Sequence, residues 1–148
     1  MTTYVLRPAR PGDLAGVRNL WRAIRREYRV ASISSREDAR GDFGDLWVVE
    51  AGRGEIVGSC GLREGEDGLW EVHSLNLAPD WRGFGLGRLL IEQVIHDAQE
   101  QGALALAVGV PRELGDAGAF LARLGFVEDT SASPDERAHF LLVLSQSH

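Results

Sequence analysis

The sequence contains no lysine, and all sixteen of its basic residues are arginine. A Walker A phosphate loop is therefore excluded, because that motif needs a lysine to reach the β- and γ-phosphates. The single cysteine, Cys60, cannot form an internal disulfide, and its apolar neighbours are typical of a core position. Because no apolar run is long enough to span a membrane and none resembles a signal peptide, we expect a cytoplasmic protein.

Acidic residues outnumber basic ones by 22 to 16, which gives a formal net charge of −6. Binding to nucleic acid needs clustered cations, so this balance argues against a nucleic-acid surface. The one arginine-rich run, residues 18–29, is interleaved with apolar residues and indicates the solvent-facing side of an amphipathic helix. An acidic protein instead suits a cationic acceptor such as a protonated amine. No close cluster of histidine, cysteine and carboxylate residues indicates a metal site.

Three glycines alternate in the stretch from residue 75 to residue 102, at Gly83, Gly85 and Gly87. An apolar strand pattern precedes them, and an amphipathic helix pattern follows and ends at Gly102. The apolar positions at helical steps are Leu86, Leu89, Leu90, Val94 and Ala98. Such a turn at a helix N-terminus presents unobstructed backbone N–H groups, which bind phosphate. A dinucleotide fingerprint does not fit, because it has the spacing G-x-G-x-x-G and follows the first strand of its fold.

Periodicity and turn residues predict one mixed α/β domain over residues 1–148. The predicted order is a strand, a helix, three strands, a helix, a strand, a helix and two strands. The predicted strands cover residues 3–7, 46–49, 56–62, 69–77, 104–108, 126–127 and 140–144. The first helix begins at residues 11–13 and turns Leu14, Val17, Leu20, Trp21 and Ile24 to one side, and the third covers residues 117–124. Residues 29–44 form either a second short helix or a loop.

The pattern Leu75-x-Leu77-x-Pro79-x-x-Arg82-Gly83-x-Gly85-x-Gly87-x-x-Leu90 resembles motif A of the Gcn5-related N-acetyltransferases (GNAT) position by position. The triplet Leu124-Gly125-Phe126 resembles the end of their motif B, and the opening Leu-Arg-Pro-Ala with Gly-Asp-Leu is similar to their first strand and helix entry. The resemblance covers nearly the whole chain. It implies an α/β (α+β) domain with a mixed, mostly antiparallel sheet, flanking helices and a splay between the fourth and fifth strands. Acetyl-coenzyme A would lie in that splay as a pseudo-strand.

The same resemblance implies which residues bind acetyl-coenzyme A. The backbones of Leu75 and Leu77 would hydrogen-bond the thioester oxygen and the pantetheine amides, while their side chains belong to the core. The turn that ends at Arg88 would hold the pyrophosphate, with the Arg88 side chain adding charge. The full implied set is Leu75, Asn76, Leu77, Arg82, Gly83, Phe84, Gly85, Leu86, Gly87 and Arg88.

The catalytic side chains match the family less well. Members often carry a tyrosine five positions before the phenylalanine of motif B, where it protonates the leaving thiolate. Here that position is Leu121, which has no proton to donate. A carboxylate that some members carry on the fifth strand is replaced by Gly109, and an asparagine common before the motif B helix is replaced by Leu114. The residue that protonates the thiolate is therefore not identified by the sequence.

Glu71 and His73 remain as candidate catalytic residues. Glu71 lies six positions before Leu77, where some relatives place a glutamate that relays the amine proton through water. In a regular strand Glu71, His73, Leu75 and Leu77 share one face, unless a bulge intervenes. The alternatives are an exposed or ion-paired position for Glu71 and a purely structural role for His73.

We therefore expect a cytoplasmic N-acetyltransferase that moves the acetyl group of acetyl-coenzyme A to a primary amine of a small molecule or peptide by direct attack. We expect no metal cofactor and no nucleic-acid or membrane partner. A domain of the same fold that binds acyl-coenzyme A without turnover, as a sensor or interaction module, is the second interpretation. A nucleotide-binding module unrelated to coenzyme A is the third. Homodimers are common in the family, but the sequence identifies neither an interface nor the acceptor.

Overall fold

The computed structural model describes residues 3–28, 45–52, 54–112, 115–131 and 137–144. Its strands are β1 Tyr4–Pro8, β2 Asp45–Ala51, β3 Glu55–Arg63, β4 Leu69–Leu77, β5 Ala105–Pro111, β6 Val127–Glu128 and β7 Arg137–Val143. Its α-helices are α1 Leu14–Tyr28, α2 Leu86–Glu100 and α3 Gly115–Arg123. This order confirms the predicted one for these residues. The predicted element at residues 29–44 and the position of Leu114 lie outside the described residues.

The strands form one seven-stranded sheet in the order β1-β2-β3-β4-β5-β7-β6. Every neighbouring pair is antiparallel except β4 and β5, which are parallel. The mixed, mostly antiparallel sheet confirms the expected fold class. Among the described residues, no helix is long and apolar enough to cross a membrane.

Four strands, β2, β3, β5 and β7, are longer than predicted. β5 continues through Pro111, because its pairing with β7 extends to Arg137. β7 begins at Arg137, three residues before the predicted start at Phe140. The added residues alternate polar Arg137 and His139 with apolar Ala138. At the other edge of the sheet, β1 includes Pro8, which pairs with Trp47. An edge strand tolerates proline because the missing N–H need not face a second neighbour.

The sheet has a hydrophobic core on each side. On the side that we name the α1 face, four helix residues pack against β2 and β3, and they are Val17, Leu20, Trp21 and Ile24. These residues confirm four of the five predicted core positions of α1. On the opposite side, the α2 face, the buried helix residues are Leu86, Leu90, Ile91, Val94 and Ala98.

One residue of the apolar pattern of α2 lies outside the core. Leu89 is 42% exposed, while Ile91 is fully buried. The two residues lie on opposite flanks of the ridge formed by Leu86, Leu90 and Val94, and only the Ile91 flank faces the sheet. Cys60 is completely buried, and burial raises the pKa of its thiol, which agrees with the predicted core position.

Candidate active site

The glycine-rich turn lies between the end of β4 and the start of α2, as predicted. Gly83 has a φ of 88° and Gly85 has a φ of 78°, in the left-handed region that favours glycine. A Cβ added to either residue would meet nothing within 4 Å. The requirement for glycine is therefore conformational, and the space beside both residues is open.

Gly85 is the N-cap residue of α2, and no side chain caps this helix end. The first intrahelical bond runs from the Leu89 N–H to the Gly85 carbonyl at 3.1 Å. The N–H groups of the first turn, from Leu86 to Arg88, therefore have no partner within the helix. Together with the positive end of the helix dipole, they fit a pyrophosphate group.

Two arginines flank this turn in different ways. Arg82 donates from Nε to the Leu77 carbonyl at 3.1 Å, so it connects the turn to the end of β4. Arg88 lies in the first turn of α2 with 67% of its side chain exposed, and it pairs with Glu92 at 2.9 Å. Arg88 is thus an exposed cation near the helix N-terminus, and its Nε binds Glu92.

β4 and β5 part at the centre of the sheet. They pair from Leu69 to Glu71 on β4 and from Ala105 to Ala107 on β5. Beyond Glu71 and Ala107, no ladder pair joins them within the described part of the chain, although β4 runs to Leu77 and β5 to Pro111. The predicted splay between the fourth and fifth strands is therefore confirmed.

Gly109 directs its backbone groups into this splay. The Leu144 N–H donates to the Leu104 carbonyl at 2.9 Å, which makes that pair a hydrogen-bonded one. Bonded and non-bonded pairs alternate along an antiparallel ladder, so Gly109 points its N–H and carbonyl away from β7 and towards β4. The splay thus exposes polar backbone groups on its β5 side.

A bulge interrupts β4 beside the splay. Gly61 of β3 pairs with His73, but Ser59, two residues earlier on β3, pairs with Asn76. Two steps on β3 therefore correspond to three steps on β4. Ser74 is at the extra position, with a φ of 54° that is unusual for a residue other than glycine.

This bulge makes the predicted common face of four β4 residues wrong. Glu71 and His73 point to the α1 face, whereas Leu75 and Leu77 pack against the core beneath α2. One extra residue in a strand moves all following side chains to the opposite face. The candidate catalytic side chains and the two leucines therefore lie on opposite sides of the sheet, with the splay between them.

A buried polar chain holds the bulge. Trp21 of α1 donates from Nε1 to the Ser59 hydroxyl at 2.9 Å, and Ser59 donates to the Ser74 carbonyl at 2.6 Å. The Ser74 hydroxyl also lies 2.9 Å from Nδ1 of His73. Ser59 and Ser74 are not among the residues predicted from the sequence, and Trp21 was predicted only as a core residue. No local sequence signal marks these contacts, because they join residues far apart in the chain.

Glu71 forms an ion pair with Arg63, whose Nη1 lies 2.7 Å from the carboxylate. The side chain of Glu71 is 48% exposed, so it is accessible from the α1 face. Glu71 belongs to the last pair before β4 and β5 separate. Its carboxylate is thus at the rim of the splay, and its ion pair with Arg63 does not test a catalytic role.

His73 is fully buried next to the bulge. Burial and the nearby Arg63 charge lower its pKa to about 4, so the ring is neutral at pH 7. A Cβ added to Gly61 would lie 2.5 Å from Nε2 of His73, so the ring occupies the space that this glycine leaves open. The environment of His73 agrees with a structural role and does not test a catalytic one.

The remaining candidate positions have ordinary surroundings. Leu121 is 1% exposed and packs in the core with Phe126, so no proton donor occupies that position. Within the residues that the structure describes, no three metal-ligating side chains come together.

A model of the acetyltransferase (GNAT) family matches residues 14–126. The mycothiol acetyltransferase of Thermobifida fusca is 31% identical over 107 residues, which cover 67% of this chain and 33% of that protein. The chain therefore spans about a third of the length of this curated relative.

Solved structures of the same fold cover nearly the whole chain. A GNAT-family acetyltransferase from Staphylococcus aureus Mu50 superimposes with a TM-score of 0.82 at 15% identity, over 97% of this chain and all of that one. The protein yncA from Salmonella typhimurium, solved with acetyl-CoA, superimposes with a TM-score of 0.74 at 18% identity, over 99% of this chain and 96% of that one. At these identities the likeness establishes the fold.

Proposed function

This chain belongs to the acetyltransferase (GNAT) family, and from that premise we propose that it transfers the acetyl group of acetyl-coenzyme A to a primary amine by direct attack. The proposal rests on one observation, which is that β4 both borders the splay and leads into the glycine turn. The strand parts from β5 beyond Glu71, and its end leads into the open glycine turn of α2. The yncA protein, which has the same fold, was solved with acetyl-CoA, and this supports acetyl-coenzyme A as the cosubstrate.

The turn would bind the pyrophosphate. Backbone N–H groups of Gly83, Gly85 and the first turn of α2 donate to it, and Arg88 adds a positive charge when it leaves Glu92. Arg82 keeps the turn attached to β4 through the Leu77 carbonyl. The implied positions Asn76, Phe84 and Leu86 remain part of this proposed site.

The splay would bind the pantetheine arm and the thioester. Leu75 and Leu77 supply backbone groups, and their side chains stay in the core beneath α2. The thioester of acetyl-coenzyme A would supply the activated acetyl group. We assign the polarisation of its carbonyl to the backbone N–H of Leu75, which follows the bulge at Ser74.

Glu71 is the proposed base. A primary amine with a pKa of about 10 is almost fully protonated at pH 7 and cannot attack until it loses a proton. Glu71 is accessible at the rim of the splay, directly or through a water. As the C–N bond forms, the C–S bond breaks and the sulfur keeps the electron pair, and the nitrogen then loses its second proton to solvent. His73, neutral and buried, is proposed to keep the bulge and Glu71 in place.

No tyrosine is required in this proposal. The buried Leu121 donates no proton, so the thiolate would leave without a protein acid and take its proton from solvent. A thiol with a pKa of about 8.5 gives a thiolate that is only moderately basic, which makes this departure reasonable. We also propose that the domain functions in the cytoplasm, where its single cysteine stays reduced, and that it needs no metal.

Two measurements test the proposal. Calorimetry with coenzyme A, ATP and NAD should show binding of coenzyme A only, and acetyl-coenzyme A with a mixture of primary amines should release free thiol. Binding of coenzyme A without amine-dependent thiol release would favour the acyl-coenzyme A sensor. Preferential binding of ATP or NAD would remove the proposed function.

A further inference from the structure

The α1 face continues past α1 onto β5 and β7, where it borders the splay. Leu106, Val108 and Val110 of β5 are buried on the α2 face, so Ala107 and Gly109 point to the opposite side. Ala107 pairs with Glu71, which confirms that both belong to the α1 face. The small residues of β5 therefore form the floor beside the splay on the side of the proposed base.

Two polar side chains of β7 extend over this floor. A Cβ added to Gly109 would lie 3.3 Å from Nδ1 of His139 and 3.5 Å from Cδ of Arg137. The lack of a side chain at Gly109 thus makes room for both. If position 109 carried a side chain, the side chains of His139 and Arg137 would have to move.

The guanidinium of Arg137 reaches the splay itself. Its Nη1 donates to the Gly109 carbonyl at 3.2 Å. Because that carbonyl points towards β4, the arginine lies across β5 with its charged end at the edge of the gap. A positive charge therefore faces the position that we propose for the thioester.

This charge is close to the proposed base. Ala107, opposite Glu71, and Gly109 are separated by two residues of β5, or roughly 7 Å. A small acceptor with its amine at Glu71 would thus bring a group a few bonds away to Arg137. Arginine binds carboxylates with paired N–H donors, so a carboxylate is the group that fits.

We infer that the acceptor is an amino acid whose carboxylate binds Arg137 beside His139 while its amine faces Glu71. This inference rests on the proposed N-acetyltransferase function and adds the class of acceptor. The net charge of −6 alone favours a purely cationic acceptor, but Arg63 and Arg137 would both repel a second ammonium group. A zwitterion satisfies both signs of charge on this face.

The test compares three acceptor pools with acetyl-coenzyme A. One pool contains the common L-amino acids with β-alanine and γ-aminobutyrate, the second their carboxamides, and the third the matching amines without a carboxyl group. Thiol release and mass spectrometry of the products give kcat/KM for each pool. We expect the acid pool to react at least about tenfold faster than either neutral pool, a difference of about 1.4 kcal/mol.

Arg137→Gln should reduce that preference to about twofold or less, because glutamine keeps a donor for the Gly109 carbonyl and removes the charge. The matched control is Arg123→Gln, an exposed arginine at the end of α3, which should keep the preference. Circular dichroism establishes that both variants are folded. The preference in the wild-type protein is measured independently of either variant.

Several outcomes overturn the inference. Equal rates on acids and carboxamides, faster reaction of the carboxyl-free amines, or a preference that survives Arg137→Gln would each remove the assigned carboxylate site. In those cases the proposed acetyl transfer stands, because amines are still acetylated. If no pool is acetylated although coenzyme A binds, the amino-acid acceptor is wrong and the acyl-coenzyme A sensor is favoured over acetyl transfer. If coenzyme A does not bind either, the proposed function fails as well.

Discussion

A substitution at Gly85 allows the cost of backbone strain to be measured separately from the loss of coenzyme A binding. Its φ of 78° and ψ of 9° are left-handed, and its Cβ position is open. In Gly85→Ala no neighbour is displaced, so the cost to folding is the left-handed strain of about 1–2 kcal/mol. The new methyl group also lies in the turn that we assign to the pyrophosphate. We expect coenzyme A to bind at least about tenfold more weakly, a loss of about 1.4 kcal/mol.

Gly52 is the matched control for this change. It has a φ of 56° in the turn between β2 and β3, and a Cβ there would also meet nothing within 4 Å. Gly52→Ala should therefore show a similar loss in the free energy of unfolding, measured in urea, and bind coenzyme A like the wild-type protein. Titration calorimetry measures the affinities. Unchanged affinity in Gly85→Ala, or an equal loss in both variants, would refute the assignment of the phosphate site.

Three further predictions concern side chains. Glu71→Gln should lower kcat/KM by a factor of about 10²–10⁴ and leave the affinity for coenzyme A nearly unchanged. His73→Gln should lower kcat/KM less. Wild-type rates in both variants from pH 6 to 10 would remove the proposed base. The pKa of His73 is lowered from 6.5 to about 4 in the folded protein, so as the pH falls the unfolded state takes up a proton before the folded state does. The free energy of unfolding should therefore fall between pH 6.5 and pH 4, by roughly 3 kcal/mol in all. Urea unfolding at pH 7 and pH 5 should show about 2 kcal/mol of this loss, because pH 5 is still above the pKa of the folded state. His73→Gln should remove it, and an identical pH dependence in both proteins would contradict the assignment. Leu121→Tyr should lower the free energy of unfolding by about 1–3 kcal/mol, because a larger ring must enter a filled core, and a fully stable variant with faster turnover would instead indicate an open acid position.

The phosphate turn could be predicted because its signal is local. Gly83 and Gly85 adopt left-handed backbone conformations that favour glycine, and the amphipathic pattern of α2 follows directly. The order of strands and helices was predictable for the same reason, since periodicity and turn residues act over short distances. These features required no knowledge of what packs against them.

The bulge in β4 could not be predicted. Ser74 has no glycine-like signal, and its conformation depends on a hydrogen bond from Ser59, which in turn accepts one from Trp21 of α1. The partners lie 15 and 38 residues apart along the chain. Only the folded structure brings them together, and the bulge that they hold places Glu71 and the two leucines of β4 on opposite faces.

The roles of Gly109 and Arg137 were hidden for a related reason. In the sequence, Gly109 is notable only because it replaces the carboxylate that some family members carry there. Arg137 follows a polar segment and precedes the predicted last strand. The pairing of β5 with β7 turns that missing carboxylate into space for an arginine and a histidine. The positions of the Arg137 and His139 side chains therefore depend on the missing side chain of Gly109 on the neighbouring strand.

The central claim is that acetyl passes directly from coenzyme A to an amine. The most direct measurement incubates the protein with isotopically labelled acetyl-coenzyme A, first without and then with the amino-acid pool, and follows label on the protein and on small molecules. Direct transfer predicts no labelled protein, no thiol release without amine, and an N-acetyl product when the pool is added. Label on a side chain before the pool is added, or thiol release that does not depend on it, would contradict the account.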